Sequence, residues 1–334
     1  MLQVRNSTPF AASLALSPDV DGIDSVIAIV KGTFTLSSDP RPLEAQRPVV
    51  PKAEFHGDPA SSSVKVPSDV SLPKPTTDVL MFGHAHAPNG RSAHVVDVAL
   101  HVGGVYRAAR VFGDRVWRQS ATATTMTSPE PFAMMPVVWE RAYGGFDETD
   151  QGRVFEARNP VGTGFRDKSG ELGLDGVPLP NVEDPRALIT TWRDRPAPVG
   201  FGPIGEHWMP RRDYAGTYDD AWRKERCPYL PLDFDARFLH VAQPELVTPA
   251  RLAGGEPIRI SGMSPATVID ARVPTAAPVV QFVVSGSVES RPTMLDTLML
   301  LPDDGVLCVV WRAVLPCDKR VLQVSEVRVS LARP

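Results

Sequence analysis

Short runs of apolar and β-branched residues recur along the chain, and Gly, Pro, Asn or Asp bounds each of them. Runs of this length are typical of β-strands, and the turn residues between them predict repeated chain reversals. The clearest runs are SVIAIVKGTFTL (25–36), DVLMFGHAHA (78–87), SAHVVDVALHV (92–102), VYRAARVFG (105–113), VVQFVVSGSV (279–288) and LCVVWRAVL (307–315). The pattern predicts a mainly β protein.

One pair of runs predicts a specific hairpin. The segments VVDVALHV and VYRAARVFG are joined only by Gly103 and Gly104. Two consecutive glycines supply the positive φ values that a tight two-residue hairpin turn requires. We therefore expect these two strands to pair antiparallel.

Helical patterns are few. Residues 293–301 (TMLDTLMLL) have the composition of a short helix. Residues 218–225 (YDDAWRKE) carry acidic residues early and basic residues late, which complements a helix dipole. The sequence predicts a few short helices added to a β scaffold.

The middle of the chain has no regular period. Between residues 131 and 212 it reads PFAMMPVVWERAYGGFD, NPVGTGF, LPNVEDP and PVGFGPIGEHWMPRR. Segments so rich in Gly and Pro predict ordered but irregular structure. We expect two β-rich lobes of sandwich type, residues 1–130 and 250–334, bridged by an irregular region, residues 131–249, that packs on both. One continuous domain is the alternative.

Composition narrows the class of protein. The 334 residues include 34 Pro, yet 43% of them are hydrophobic, so the prolines interrupt a folded chain. The formal charge of -4 argues against a nucleic-acid partner. The three cysteines form no CxxC pair and favour a reducing compartment. No signal-peptide pattern and no apolar run of about 18 residues is present, so we expect a cytoplasmic protein without a membrane partner.

Catalytic motifs are sparse. The sequence contains neither GxSxG nor GxxxxGK[ST], and we predict a protein that is not an enzyme and needs no cofactor. Four histidines lie close together in the sequence and suggest a metal site: His84, His86, His94 and His101. No HExxH motif or carboxylate at ligand spacing accompanies them, so no metal site is predicted.

A carbohydrate-active hydrolase is the alternative enzymatic interpretation. It would use Glu140 with a second carboxylate such as Asp147 or Glu148, which lie among aromatic residues able to stack on sugar rings. The structural interpretation is that Glu140 and Arg141 form an ion pair that fixes the WERAYGG turn.

Aromatic residues and arginines, most of them within the irregular region, suggest a binding surface or its supporting core. Such residues concentrate binding energy at protein interfaces. The candidates are Trp117, Trp139, Glu140, Arg141, Tyr143, Phe165, Phe201, Trp208 and Arg211.

Taken in order, a series of segments resembles a known bacterial family. They are NSTPF, KGTF, SDVSLPKPTTDVLMFGHAHAP, VFGDRVW, PFAMMPVVWERAYGG, NPVGTGF, LPNVEDP, PVGFGPIGEHWMPR and YDDAW, between about residues 6 and 240. The series resembles domain of unknown function family 2169, whose members are typically encoded beside type VI secretion components.

The resemblance implies a cytoplasmic adaptor or chaperone. Such a protein holds a toxic secretion effector and helps to load it onto the VgrG spike or its PAAR tip. No catalytic residues come with the resemblance. A structural component exported with the spike is a further alternative.

Overall fold

A computed structural model describes residues 2–167 and 173–332. Within them the protein is mainly β, which confirms the predicted fold class. The strands are β1 (Gln3–Asn6), β2 (Ala11–Pro18), β3 (Asp24–Thr35), β4 (Glu54–Phe55), β5 (Val64–Val66), β6 (Asp78–Met81), β7 (His84–His86), β8 (Val95–Val102), β9 (Val105–Phe112), β10 (Trp117–Gln119), β11 (Thr124–Met126), β12 (Met134–Pro136), β13 (Tyr143–Gly144), β14 (Phe146–Thr149), β15 (Gly152–Phe155), β16 (Thr163–Gly164), β17 (Val182–Glu183), β18 (Pro257–Ser261), β19 (Val268–Arg272), β20 (Pro278–Val284), β21 (Ser287–Pro292), β22 (Met294–Leu301), β23 (Val306–Pro316) and β24 (Val324–Leu331).

A five-stranded sheet forms the centre of the core, in the order β2–β3–β23–β22–β6. β3 pairs antiparallel with β2 on one side and with β23 on the other, and β6 runs parallel to β22. β3 and β23 are buried along almost their whole length, as their continuous apolar runs predict. Trp311 on β23 packs against Phe10 and Phe34, with ring centroids 5.5 and 6.2 Å apart.

The predicted hairpin is confirmed in a second five-stranded sheet, ordered β17–β9–β8–β18–β19. β8 and β9 pair antiparallel up to Val102 and Val105. Gly103 and Gly104 both have positive φ, 54° and 82°, at the turn. The side chains of β8 alternate between buried and exposed, so one face of this sheet packs on the core.

Strands from the two ends of the chain share sheets. β1 pairs parallel with β24 in a four-stranded sheet ordered β1–β24–β20–β21. β3 pairs with β23 in the central sheet, and β8 pairs with β18 in the second. Residues 1–130 and 250–334 are therefore joined by backbone hydrogen bonds along three sheets.

One predicted helix is confirmed and the other is wrong. α1 (Asp220–Glu225) forms where the charge pattern predicts it, and the Asp219 side chain caps it by accepting from the Trp222 amide at 2.8 Å. Residues predicted as a helix at 293–301 instead form β22, between β23 and β6. Burial between two partner strands outweighs the weak local helix preference of its Leu and Met residues.

The middle region is irregular, as predicted. Between residues 131 and 249 the described strands span two to four residues each and alternate with loops and single helical turns. None of the helices within the described residues is long and apolar enough to cross a membrane. The 3₁₀ helices are Pro88–Gly90, Trp139–Arg141, Arg211–Tyr214, Ala236–Leu239, Pro244–Leu246, Pro302–Asp304 and Asp318–Gln323.

Candidate functional site

Residues 47–72, here called the covering arm, lie between two cavities. The arm carries the short antiparallel strands β4 and β5. Along it, Glu54 and His56 face one cavity, whereas Ala53 and Phe55 face the other. This alternation is the period of two that extended backbone imposes. The arm therefore supplies a wall to each cavity.

The larger cavity, here called the sheet cavity, has a volume of about 750 Å³. Its floor comes from the central sheet and includes Met299, Leu301 and Cys308. Burial raises the pKa of the Cys308 thiol, which favours its neutral form. Lys31 also lines the cavity, and its ammonium bonds the Asp69 carboxylate at 2.8 Å.

The smaller cavity, here called the Trp208 groove, has a volume of about 450 Å³. It lies between the covering arm and residues 203–211 and 238–241. Its lining is mainly apolar and includes Phe55, Val70, Leu72, Ile204, Trp208 and Leu239. A concave, mainly apolar surface with polar groups among its lining residues suits an apolar side chain of a partner.

Four of the predicted residues form one wall of this groove and the core behind that wall. The rings of Trp139 and Trp208 pack edge to face with centroids 5.7 Å apart, and Phe201 is fully buried in the same core. Arg211 donates to the carbonyls of Phe238 at 2.8 Å and Ile204 at 3.1 Å. These side chains are buried, so they hold the groove wall and are not exposed anchors.

The segment GFGPIG, residues 200–205, has the GxGxxG spacing found in dinucleotide-binding loops. That motif requires a preceding strand and a following helix, and this segment has neither. A Cβ at Gly200 would lie 2.8 Å from the indole of Trp139, and one at Gly205 would lie 2.8 Å from that of Trp208. The glycines therefore permit close packing on the two indoles.

Three other predicted residues form a separate group. Trp117 and Tyr143 are buried in a second hydrophobic cluster with Leu174, and the half-buried Phe165 packs against it. Seven of the nine candidates thus lie in these two groups, and Glu140 and Arg141 lie between them on the 3₁₀ helix Trp139–Arg141.

The predicted ion pair between Glu140 and Arg141 is wrong. Both oxygens of Glu140 instead accept from Ser63 of the covering arm, from its amide at 2.7 Å and its hydroxyl at 2.9 Å. Arg141 donates to Asn181 at 2.9 Å and to Asp114 at 3.3 Å. Adjacent residues of a 3₁₀ turn point apart, so each reaches a different segment. Glu140 therefore fastens the tip of the arm.

The other carboxylates considered for hydrolysis also form hydrogen bonds with neighbouring arginines. Asp147 accepts from Arg166 at 2.9 Å, and Glu148 accepts from Arg153 at 2.8 Å. Each of the three carboxylates thus has its own structural partner.

The histidines that suggested a metal site bond elsewhere. His84 Nδ1 and His86 Nε2 lie 2.7 and 3.0 Å from the two oxygens of Asp303. His94 Nδ1 lies 2.7 Å from the Pro129 carbonyl. Within residues 2–167 and 173–332, no group of three or more His, Cys, Asp or Glu side chains is arranged to hold a metal ion.

A buried charge network lies just after the covering arm, and no sequence motif identifies it. Asp78 is fully buried and bonds Lys74 Nζ at 2.7 Å and His240 Nδ1 at 2.6 Å. The Lys74 amide donates to Asp296, whose carboxylate also pairs with Arg312. Charged residues inside otherwise apolar runs were the available signal, because a buried charge requires a partner.

The charge of Asp78 predicts a loss of stability in acid. Burial alone raises the pKa of Asp78, but the charge of Lys74 and the hydrogen bond with His240 outweigh it, lowering the pKa from 3.8 to about 2. A depressed folded-state pKa adds stability that is complete above 3.8 and disappears as the pH falls towards 2. We expect the thermal midpoint to fall more steeply across this interval in the native chain than in Asp78→Asn.

The chain belongs to a bacterial family described as "Uncharacterized protein conserved in bacteria (DUF2169)", which matches residues 21–312. The resemblance inferred from the ordered segments is thereby confirmed at the level of the family. No curated protein and no solved structure matches the chain. The matched range contains every residue that lines the Trp208 groove and the sheet cavity.

Proposed function

We propose that the chain is a non-enzymatic cytoplasmic adaptor or chaperone that binds a type VI secretion effector and assists its loading onto the VgrG or PAAR spike. The Trp208 groove is the observation that carries this proposal. Two of the ordered family segments, residues 68–88 and 198–211, contribute residues to opposite walls of it. Concave apolar surfaces of this kind accept an anchoring side chain from a protein partner.

The covering arm, which forms one wall of the groove, is fastened at both its tip and its base. Glu140 holds the arm tip through Ser63, and Asp69 holds the arm base through Lys31 and the Val50 amide at 2.7 Å. A pre-organised groove loses little conformational entropy on binding. Its small size limits the affinity, which is consistent with a carrier that must release its cargo.

Co-expression with each gene product encoded beside this chain tests the proposal. We expect affinity capture and size-exclusion chromatography with light scattering to give a stoichiometric complex with an effector or spike protein. No complex with any neighbour would contradict the adaptor function. Recovery of the chain in the exported fraction would instead favour a structural component of the spike.

The groove itself is tested by placing a charge in it. Val70 lines the groove and is 37% exposed, so Val70→Asp should leave the fold intact. We expect effector affinity to fall at least about ten-fold, because the carboxylate must lose water when an apolar anchor enters. Val288→Asp is the matched control, since Val288 is 50% exposed and lies on β21. Equal affinities of both variants would exclude the groove as the binding surface.

A further inference from the structure

β2 is an edge strand of the central sheet with one side open. It pairs with β3 over its whole length, from Ala11 to Pro18, in one unbroken register. No other strand within residues 2–167 and 173–332 pairs with its opposite side. The far edge of the same sheet, β6, is buried, and there the Met81 amide donates to the Phe201 carbonyl at 3.0 Å. The central sheet can therefore be extended at β2.

The other long edges carry features that oppose strand addition. β1 contains Arg5, β19 contains Asp270, and β21 contains Glu289, Arg291 and Pro292. Charged side chains and proline on an edge disfavour pairing with another strand. β2 reads AASLALSP, with no charge and with proline only at its last position. It is the edge that the sequence leaves unprotected.

The sequence of β2 suits pairing with a second copy of the same strand. Residues 13–17 read SLALS, which is the same in both directions. If two β2 strands pair antiparallel about a two-fold axis at Ala15, Leu14 of one copy lies opposite Leu16 of the other. The serines at the two ends of this segment then also lie opposite one another, as partners for hydrogen bonds.

This pairing accounts for an exposed leucine. Leu16 is 61% exposed, whereas Leu14 packs against the hydrophobic core. Directly opposed residues of an antiparallel pair lie on the same face of the sheet. Leu16 would therefore cover Leu14 of the second copy, and the apolar face would continue across the two-fold axis.

We propose that two copies of this chain associate through β2, antiparallel and centred on Ala15, to form one continuous ten-stranded sheet. The pairing is isologous, so it closes at two copies and does not propagate. One pair of strands is a small interface, and the dimer dissociates on dilution. This inference is independent of the proposed cargo function, because β2 contributes no residue to the Trp208 groove.

Sedimentation over a concentration series tests the association. We expect the native chain to approach twice its 36.3 kDa mass at submillimolar concentration. Leu16→Lys should raise the dimer dissociation constant by more than about ten-fold, since the substitution acts twice across the two-fold axis. Met134→Lys is the control, because Met134 is 50% exposed on β12, in a different sheet. A native chain that stays monomeric, or a Leu16→Lys chain that dimerises normally, would overturn the proposal.

Cysteine cross-linking tests the register in a Cys227→Ser background, which removes the exposed thiol. Ala15→Cys should oxidise to a disulfide-linked dimer, because each Ala15 faces its own copy. Ser13→Cys should not, since the two copies of that residue are offset by about 13 Å along the strands, and a disulfide requires Cα atoms within about 7 Å. Mixing Ser13→Cys with Ser17→Cys should restore the cross-link. If the Ser13→Cys variant by itself cross-links as well as the Ala15→Cys variant, this register is refuted. If β2 pairs only with a strand of another protein, self-association is refuted.

Discussion

Replacing Asp78 with asparagine will lower the free energy of unfolding by about 3–5 kcal/mol, because it leaves a buried ammonium without its counter-charge. The Asp78 carboxylate bonds Lys74 Nζ at 2.7 Å and accepts from the Val241 amide at 2.8 Å. Asparagine keeps the volume of aspartate but removes the negative charge. Urea unfolding followed by tryptophan fluorescence measures the change.

Asp97→Asn is the matched control for this substitution. Asp97 pairs with Arg110 at 2.8 Å, but its side chain is 64% exposed. Solvent screens an exposed pair, so we expect a loss below about 1 kcal/mol. Equal losses of unfolding free energy in the two variants would contradict the prediction that the buried pair contributes more than the exposed one.

The effect of Asp78 extends to the groove because its partners form a connected set. Lys74 lies just after the covering arm and lines the groove, and His240 lies beside residues that form the facing wall. One carboxylate thus ties both walls of the Trp208 groove to the start of β6. Loss of its charge should loosen the groove as well as the core.

Local features of the fold could be predicted from the sequence. The β8–β9 hairpin follows from an alternating pattern and a Gly-Gly turn, and α1 follows from its charge order. Neither depends on distant residues. The pairing of β3 with β23, and of β1 with β24, has no local signal because sheets join segments hundreds of residues apart. The prediction of a helix at residues 293–301 fails for the same reason, since the partner strands of β22 decide its conformation.

The sequence predicts which residues belong to the candidate site but not how they are arranged. The aromatic-rich segments do contain Trp139, Phe201 and Trp208, which meet in the core behind the groove. The sequence could not show that Trp117 and Tyr143 belong to a different cluster, because loops without a period carry no register. The covering arm also escaped prediction, since its strands β4 and β5 span only two and three residues.

Replacing Trp139 with alanine will lower the free energy of unfolding by about 3–5 kcal/mol, because it opens a large cavity in the core. Trp139 is 2% exposed, and its Nε1 donates to the Pro203 carbonyl at 2.9 Å. The substitution also removes the ring on which Trp208 packs edge to face. We therefore expect the groove wall to lose its order together with stability. Urea unfolding and amide hydrogen exchange at residues 204–208 will measure the two losses.

Trp222 provides the matched control for Trp139. It is half-buried on α1, and its Nε1 likewise donates to a carbonyl, that of Tyr229, at 2.8 Å. Trp222→Ala therefore removes the same ring and the same type of hydrogen bond but leaves no closed cavity, and we expect a loss of about 1–2 kcal/mol. A loss at Trp139 no larger than at Trp222 would contradict the role of Trp139 in the core. Trp139→Phe keeps a ring in the core but removes the Nε1 donor. We expect an intermediate loss of about 1–3 kcal/mol, from the unsatisfied Pro203 carbonyl and the smaller ring. The remaining deficit of Trp139→Ala would then measure the packing of the ring that Phe retains.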